Sequence, residues 1–340
     1  MKQYLLPNDK KYYKVNLHCH TNISDGTLTP EEIKKVYKEH GYSAVAFTDH
    51  EMIVAHNDLT DDGFVALHGY EIAYNEPGDF PYDDKRVYHL NAIYKYPDFK
   101  KMYLYNPRFP FADHQNLKDT IEYEKLLENK EYSLSFTNWF IKEMTEHGYL
   151  VNYNHPQWSL QTGDDYLELK NLYGFEVYNT DAGAVGESFN DYYSMLNHGD
   201  RSVIPIAADD NHNRQGLENI DNSIKSDSFG GYNMIAADEL SYEGLINGLL
   251  NKDVYASTGV TIKSLYIEDN KLHIECSPVS EIIMYRGGRR AWDRVRSTKD
   301  DIETTEIGLH PDTTFLMVRL LTKDGKMAVT RAYDINEYLK

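Results

Sequence analysis

The sequence contains only two cysteines in 340 residues, Cys19 and Cys276. They lie far apart along the chain, so a disulfide framework has no support and a reducing cytoplasm is the predicted compartment. Long apolar runs are also lacking. The first segment, MKQYLLPNDKKYYK, has a very short apolar run before Pro7, which is too short for a signal sequence or a membrane anchor. We therefore expect a soluble, cytoplasmic protein that does not enter a membrane.

Basic residues are scarce relative to acidic ones. The chain has 35 lysines and arginines against 54 aspartates and glutamates, for a formal net charge of −19. A surface with this charge repels polyanions, so bulk nucleic-acid binding is not expected.

A glycine-rich phosphate loop and a serine nucleophile elbow are also missing from the sequence, so neither mechanism has support. The composition leaves the oligomeric state open.

Short apolar runs alternate with helical patterns along most of the chain, which predicts a βα succession with parallel strands. Helices are predicted from the N-cap Thr29 to His40, over residues 134–147 and over residues 188–198, each followed by a glycine. The apolar runs are YKVNLHCH, SAVAFTDH, GFVALHGYEI, RVYHLNAIY, GYLVNYNHP, YGFEVYN and RSVIPIAADDNH.

The pattern changes beyond about Thr258. The segments KSLYIEDNKLHIEC and TTFLMVRLLTKDGKMAVTRAY predict antiparallel hairpins. We therefore predict two domains, a barrel-sized domain over residues 1–258 and a small all-β domain over residues 259–340. Segment 94–131 is long, aromatic and rich in turn residues, so it is either a lid or a packed surface excursion.

Potential metal ligands lie at or near the end of nearly every predicted strand. His18 and His20 are two residues apart, so their side chains share one strand face, while Val15, Leu17 and Cys19 form the opposite face. The C-terminal strand ends of a closed parallel barrel converge, so ligands distant in sequence can meet there. Mixed imidazole and carboxylate ligands suit Zn²⁺, Mn²⁺ or Fe²⁺. The later candidates are Asp49, His50, Glu71, His89, His155, Glu176, Asp210 and His212.

An ordered set of motifs carries a family resemblance: HCHTNISDGTLTPEE, AFTDHE, GYEI, HLNAIY, NHP and DDNH. This set resembles the PHP (polymerase and histidinol phosphatase) metallophosphoesterase family over residues 16–259. The resemblance implies an α/β fold, a distorted seven-stranded β/α (TIM-like) barrel, with two or three divalent metal ions at its mouth. The segment DVYASTGVTIKSLYI further resembles a subgroup in which a small C-terminal β domain follows the barrel.

The resemblance also implies which residues bind metal. Its Asp-x-His motif selects Asp210 over the adjacent Asp209, whereas Asp49 and Glu176 are expected to support the ligands through hydrogen bonds. Asp25 has a second interpretation, as a turn residue in the sequence SDG. The implied ligands are His18, His20, Glu71 and Asp210 for the first metal, Glu71, His89 and His155 for the second, and Asp25, His50 and His212 for the third.

The activity that the resemblance implies is hydrolysis of a small phosphorylated molecule or a short phosphodiester by a metal-bridging hydroxide. Glu71, Asp210 and His212 would act at the catalytic centre. Arg86 and Arg214 are candidate phosphate contacts, because a guanidinium donates in a bidentate fork. Two alternatives stay open. The same centre could hydrolyse a carboxylic ester, amide or carbamate, or the chain could be a non-catalytic, metal-stabilised binding module.

Overall fold

A computed structural model of the chain describes residues 2–79, 81, 84–109, 115–221, 226–289, 292–310 and 313–338. Within these ranges the chain forms nineteen strands and six helices. The strands are β1 (Gln3–Tyr4), β2 (Lys11–Asn16), β3 (Ala44–Phe47), β4 (Val65–Asn75), β5 (Val87–Tyr94), β6 (Met102–Tyr105), β7 (Tyr123–Leu126), β8 (Tyr149–Tyr153), β9 (Gly174–Asn179), β10 (Ile204–Ala208), β11 (Tyr232–Ala237), β12 (Val254–Ser257), β13 (Ile262–Glu268), β14 (Lys271–Val279), β15 (Glu281–Tyr285), β16 (Trp292–Arg296), β17 (Ile302–Gly308), β18 (Met317–Leu321) and β19 (Met327–Thr330). The helices are α1 (Pro30–Glu39), α2 (Gln115–Lys118), α3 (Leu134–Glu146), α4 (Gly163–Tyr166), α5 (Phe189–His198) and α6 (Tyr242–Leu250).

The three helices predicted from capping signals are confirmed as α1, α3 and α5. At the start of α1, Thr29 accepts a hydrogen bond from the Glu32 amide, and the Glu32 carboxylate accepts one from the Thr29 amide. This capping box satisfies amides that the first helical turn leaves without partners. The apolar face of α1 includes Ile33 and Tyr37, which are buried in one core. In the described parts of the chain, no helix combines the length and apolar character needed to span a bilayer.

The strands that carry the predicted ligands belong to one mixed sheet with the order β10-β9-β8-β5-β4-β3-β2-β11-β12-β19-β18-β15-β16. Strands β2, β3 and β4 are parallel to one another, and so are β8, β9 and β10. Strand β5, in contrast, pairs antiparallel with both β4 and β8. The prediction of an unbroken parallel succession is therefore wrong at β5. Its connection from β4 is short, and a short connection reverses the chain direction.

Strand β10, at one edge of this sheet, approaches strands β2 and β11 in its interior. Just beyond β2 and β10, the amide of His20 donates to the Asn211 carbonyl (3.1 Å), and Cys19 and Asn211 form a single parallel bridge. Within β10, the amide and the carbonyl of Ala207 hydrogen-bond the side chain of Asn233 in β11 (3.3 and 2.8 Å). Strand β10 is an edge of the sheet, whereas β2 lies inside it between β3 and β11. Within the described residues, isolated contacts of this kind, and not a strand ladder, connect β10 to β2 and β11. Mixed α/β architecture is thus confirmed, whereas a closed seven-stranded TIM-like barrel is not.

The C-terminal part of the chain forms a sandwich of strands. Both predicted hairpins are confirmed, as β13–β14 and β18–β19. Asp269 and Asn270 connect the first hairpin with positive φ at both positions, as a type I′ turn requires. A second sheet, β1-β13-β14-β17, packs against strands that continue the first sheet, and the buried residues between them form one apolar core. The predicted division between residues 258 and 259 stays a prediction.

The long segment after β5 packs onto the protein through its described residues. Met102 and Leu104 in β6 are buried in the same core as residues of α3 and α5. Near the end of the segment, Lys130 donates to the carboxylate of Glu51 (2.7 Å) and to the carbonyl of Ala73 (2.6 Å). Residues 110–114 lie outside the described residues. These contacts fix the ends of the segment, and its function as a lid stays a prediction.

Candidate metal centre

The nine side chains predicted as metal ligands lie together at one end of the mixed sheet. The reversed direction of β5 explains why His89, near the start of that strand, joins residues that follow the ends of parallel strands: it pairs with Ala73 of β4, two residues beyond Glu71. The cluster consists of His18, His20, Asp25, His50, Glu71, His89, His155, Asp210 and His212. Their function as ligands stays a prediction.

The two histidines after β2 face the cluster for a reason other than strand alternation. Strand β2 ends at Asn16, whose side chain hydrogen-bonds the amide and the carbonyl of His18 (3.3 and 2.9 Å). Beyond this point Leu17 packs in a core with α6, whereas Cys19 packs in a core with α1. The predicted common face of Leu17 and Cys19 is therefore wrong, because the local bonds of Asn16 interrupt the pleat. Cys19 is a buried core residue.

The first group of side chains comprises His18, His20, Glu71 and Asp210. Both Nε2 atoms of the two histidines lie 3.0 Å from Asp210 Oδ1, and each lies 3.3 Å from an oxygen of Glu71. The Nε2 atoms are themselves 3.1 Å apart. Two imidazole nitrogens and two carboxylates thus surround one small volume, which is the donor set of a divalent ion bound by nitrogen and oxygen.

The second group shares Glu71 with the first. Oε1 of Glu71 lies 3.0 Å from Nδ1 of His89 and 3.4 Å from Nε2 of His155. The amide side chain of Asn154 donates to the same oxygen at 2.7 Å. Glu71 is buried, with both oxygens facing the cluster. It is therefore the side chain best placed to bridge two ions.

The third group comprises Asp25, His50 and His212, together with His20. Oδ2 of Asp25 lies 3.2 Å from Nε2 of His212, and Oδ1 lies 3.8 Å from Nε2 of His50. The ring of His20 stacks on His212 with centroids 4.5 Å apart. The side chain of Asp25 thus faces this group, which favours the ligand interpretation over a role confined to the SDG turn.

Hydrogen bonds outside the cluster orient the imidazoles. Nδ1 of His18 donates to Glu176 (2.7 Å), Nδ1 of His212 donates to the Asp210 carbonyl (2.8 Å), and Nδ1 of His155 hydrogen-bonds with Ser159 (3.1 Å). In each case the other ring nitrogen faces the carboxylates. This is the usual environment of a metal-binding histidine, in which an outer acceptor fixes the tautomer.

The inward-facing atoms suit cations and not a hydrogen-bonded core. Nδ1 of His18 carries the proton that is donated to Glu176, so Nε2 of the same ring presents a lone pair to Asp210 Oδ1. A lone pair that faces a carboxylate is repelled unless a proton or a cation lies between the two atoms. Within the described residues, no hydrogen bond of good geometry reaches this buried Asp210 oxygen.

Asp210 and His155 also have left-handed backbone conformations, with φ of 55° and 25°. Backbone strain of this kind persists where the surroundings enforce it, often at functional sites.

The sequence of this centre matches a known family. The PHP domain family model matches residues 16–259, more than half of the chain. The chain belongs to the PHP domain family. No curated protein sequence matches it.

Two solved structures resemble this PHP protein weakly. One is a two-domain protein from Bacteroides vulgatus ATCC 8482, described as containing a predicted PHP-like metal-dependent phosphoesterase, with 15% identity, a TM-score of 0.46, and coverage of 97% of this chain and 98% of that chain. The other, from Bifidobacterium adolescentis ATCC 15703, is described provisionally as a metal-dependent phosphoesterase. It has 17% identity and a TM-score of 0.37, and the match covers 60% of this chain and 89% of that chain. These values are too low to transfer properties to this chain.

The adjacent Asp209 and Asp210 of the PHP centre have opposite environments. Asp210 faces the histidines, whereas the buried Asp209 turns away. Asp209 accepts hydrogen bonds from Tyr37 (2.9 Å), Thr180 (2.8 Å) and the amides of residues 229–231 (2.9 Å each). Asp210, which the motif selects, is therefore the one of the two that faces the cluster, and its function as a ligand stays a prediction. It lies beyond the end of β10 at Ala208, so the pleat of that strand does not fix its direction.

The two arginines predicted to bind phosphate lie in different places. Arg214 is exposed and lines the pocket above the PHP centre. Arg86 does not line that pocket, and its guanidinium pairs with Glu76 (2.7 Å) and Asp165 (3.2 Å). The antiparallel β4–β5 pair accounts for this placement, because it brings Arg86, one residue before β5, opposite Glu76.

Sequence reasoning missed several residues of the site. Asp181 lines the pocket 3.7 Å from His212, and Asp227 accepts hydrogen bonds from the amides of His212 and Asn213 (2.8 Å each). Trp158 also lines the pocket and is 39% exposed. The sequence offered no motif for them. The two predicted supporting residues do form hydrogen bonds here: Glu176 with His18, and Asp49 with the loop at Thr21 and Ser24.

The charges of the cluster predict how the metal-free protein responds to pH. Burial opposes the charge on His20, but the adjacent carboxylates of Asp210 and Glu71 raise its pKa from 6.5 to about 10. A raised pKa contributes stability that is fully present below the unfolded value and is lost as pH rises through the folded value. We therefore expect the melting temperature of chelator-treated protein to fall between pH 7 and pH 10.

Metal loading should remove this pH dependence, because a bound cation replaces the proton on His20 and binds more tightly as protons leave. The measurement is a series of thermal melts at half-unit pH steps, with chelator and with added Mn²⁺ or Zn²⁺. A chelated protein that becomes more stable from pH 7 to pH 10 would contradict the assigned charges.

Glu176 is predicted to act on the metals through His18. Glu176→Gln should lower metal affinity by roughly 10- to 100-fold, because the amide orients the ring of His18 less well and no longer increases its basicity. Metal affinity is measured by competition with a chelator. The matched control is Glu187→Gln, at an exposed position that contacts Arg319, which should bind metal like the parent. Equal affinities for the two variants would exclude this role for Glu176.

Proposed function

We propose that this PHP protein is a metal-dependent hydrolase of small phosphate esters or short phosphodiesters. The observation that carries the proposal is the position of Glu71, whose Oε2 lies 3.3 Å from Nε2 of His20 in the first group and whose Oε1 lies 3.0 Å from Nδ1 of His89 in the second. A buried carboxylate with histidines on both sides is suited to hold two ions a short distance apart. Paired ions can stabilise both the attacking and the leaving oxygens of an in-line displacement at phosphorus.

The pocket above the centre suits a small anionic substrate. It has a volume of about 190 Å³ and is lined by seven of the nine cluster residues, all but His18 and His20, together with Arg214, Asp181, Ala182 and Trp158. The ring of Trp158 lies 5.0 Å from that of His155, between centroids, and gives the pocket an apolar wall. Arg214 can donate two parallel hydrogen bonds to a phosphoryl group. The substrate therefore places its phosphoryl group over the cluster and its alcohol group against Trp158.

Divalent ions bound here would polarise a phosphoryl oxygen and acidify a water molecule to near neutral pH. The chain itself contributes orientation and charge. Glu71, Asp210 and Asp25 bring negative charge into a protein whose net charge is already −19, and bound cations would reverse that field locally for an anionic substrate. Glu176 and Asn154 hold His18 and Glu71 in place through hydrogen bonds of 2.7 Å each, so little reorganisation is needed during reaction.

The test is a substrate panel assayed with the full-length protein and added Mn²⁺ or Zn²⁺. It contains phosphomonoesters, short phosphodiesters and aryl carbamates, each with chelator-treated protein and the Asp210→Asn variant as controls. We expect metal-dependent turnover of at least one phosphate ester, abolished by both controls. Turnover of carbamates alone would transfer the proposal to carbonyl substrates, and metal binding without turnover of any compound would favour a binding module.

A further inference from the structure

A second pocket lies away from the PHP centre and contains an unusual group of cations. It has a volume of about 360 Å³ and lies where the loops after α5 and α6 meet the segment after β19. Arg201, Lys252 and Arg331 line it, one from each segment. Strand β10 begins beside this pocket and ends at the metal centre. Its five residues span roughly 16 Å at about 3.3 Å per residue, so the two sites are separate.

The three cations lack carboxylate partners. Within the described residues none of them forms an ion pair, and each donates instead to a main-chain carbonyl: Arg201 to Leu196 (3.1 Å), Lys252 to Ser202, and Arg331 to Ala332 (3.1 Å). Acidic residues outnumber basic ones in this chain by 54 to 35. A pocket with three unpaired cations is therefore contrary to the composition, and an external anion would satisfy it.

Two hydrogen-bond donors of this pocket also remain without acceptors in the described part of the chain. Arg331 Nε and the hydroxyl of Tyr333 are buried and have no hydrogen-bond partner within the described residues. Buried donors of this kind carry a desolvation cost unless a ligand or water meets them. Burial and then the nearby Arg331 lower the pKa of Lys252, and the charge of Asp200 offsets only part of this shift.

The pocket walls indicate the size and chemistry of the occupant. Phe315 and Ala332 are buried apolar residues of the lining, and the Arg201 guanidinium lies 5.7 Å from the Phe315 ring centroid. Asp334 and Glu337 also line the pocket, but both are exposed, and Asp334 already accepts hydrogen bonds from Asn336. A doubly charged group bound by the cations, with an apolar part against Phe315, matches these walls.

We propose that this pocket binds a phosphorylated small molecule, with its phosphoryl group held by Arg331, Lys252 and Arg201. Two guanidinium groups and an ammonium match the charge and the several acceptor oxygens of a phosphate dianion. The site is independent of the proposed hydrolase activity, since it shares no lining residue with the metal centre.

The test is equilibrium dialysis of the full-length protein, metal-loaded and chelated, against phenyl phosphate and inorganic phosphate at constant ionic strength. Chelation removes binding and hydrolysis at the metal centre. We expect one phenyl phosphate per chelated chain, bound at least tenfold more weakly by Arg331→Gln and by Lys252→Gln. Lys263→Gln, at an exposed position paired with Glu303, should bind like the parent.

Several results would overturn this proposal. Binding that disappears on chelation would assign all phosphate to the metal centre, and variants that bind like the parent would exclude these cations. Equal affinity for inorganic phosphate and phenyl phosphate would show that the pocket binds free phosphate and not a phosphorylated molecule. If Arg331→Gln does not fold, Lys252→Gln decides, because its partly exposed side chain can be truncated without leaving a buried gap. Its metal-dependent turnover should equal that of the parent.

Discussion

Replacing Glu71 with glutamine is expected to lower metal-dependent turnover on the order of 10³-fold, the upper range for losing one charge-stabilising group. The amide keeps the shape of the side chain but removes the negative charge between the two groups. Metal content should fall by at least one ion per chain, because a neutral amide is a poor bridge. Metal content is measured by plasma mass spectrometry and turnover with the phosphate ester identified in the panel.

A matched control is available beside Glu71. Glu51 is also a buried glutamate, but its carboxylate pairs with Lys130 at 2.7 Å and lies outside the metal-binding groups. Glu51→Gln makes the same chemical change and should retain the parent metal content. If Glu71→Gln keeps both full metal content and full turnover, Glu71 is not a bridging ligand.

Replacing Asp209 with asparagine is expected to destabilise the protein by about 3 kcal/mol, the cost of breaking a buried, charged hydrogen-bond network. The Asp209 carboxylate accepts from two hydroxyls and three backbone amides. The asparagine amide group would point two hydrogens toward some of these donors. Urea unfolding of the chelated proteins measures the loss of stability.

The neighbouring Asp210→Asn variant separates stability from metal binding. Asp209→Asn should keep the parent metal stoichiometry in its folded fraction, whereas Asp210→Asn should lose metal. The two measurements together test the opposite orientation of these adjacent carboxylates. Loss of metal by Asp209→Asn without loss of stability would show that the two residues are assigned the wrong way round.

The sequence was most informative about the predicted metal ligands, because metal chemistry determines which residue types the motifs contain. The ordered motifs predicted nine ligands, and the structure brings all nine into one cluster. Capping signals predicted α1 because Thr29, Pro30 and Glu32 act within one helical turn. These inferences depended on local interactions or on chemical identity, and neither requires knowledge of how the sheet closes.

Features that depend on strand direction could not be predicted. Strand β5 has the same apolar pattern in either direction, so its reversal was missed, and with it the pairing of Arg86 with Glu76. Long-range contacts caused the other omissions. Asp181 and Asp227 reach His212 through loops whose paths are set by tertiary packing, and Asn16 disrupts the pleat at Leu17 through its own side chain. The cationic pocket joins segments remote in sequence, and no motif indicates it.

Anomalous diffraction from crystals of the metal-loaded protein tests the central claim most directly. Data collected on both sides of the absorption edge of the added metal locate each ion and identify its element. We expect at least two anomalous peaks, one among His18, His20 and Asp210 and one between His89 and His155, with Glu71 in contact with both. Anomalous density confined to surface sites, with the cluster held together by hydrogen bonds alone, would contradict this claim.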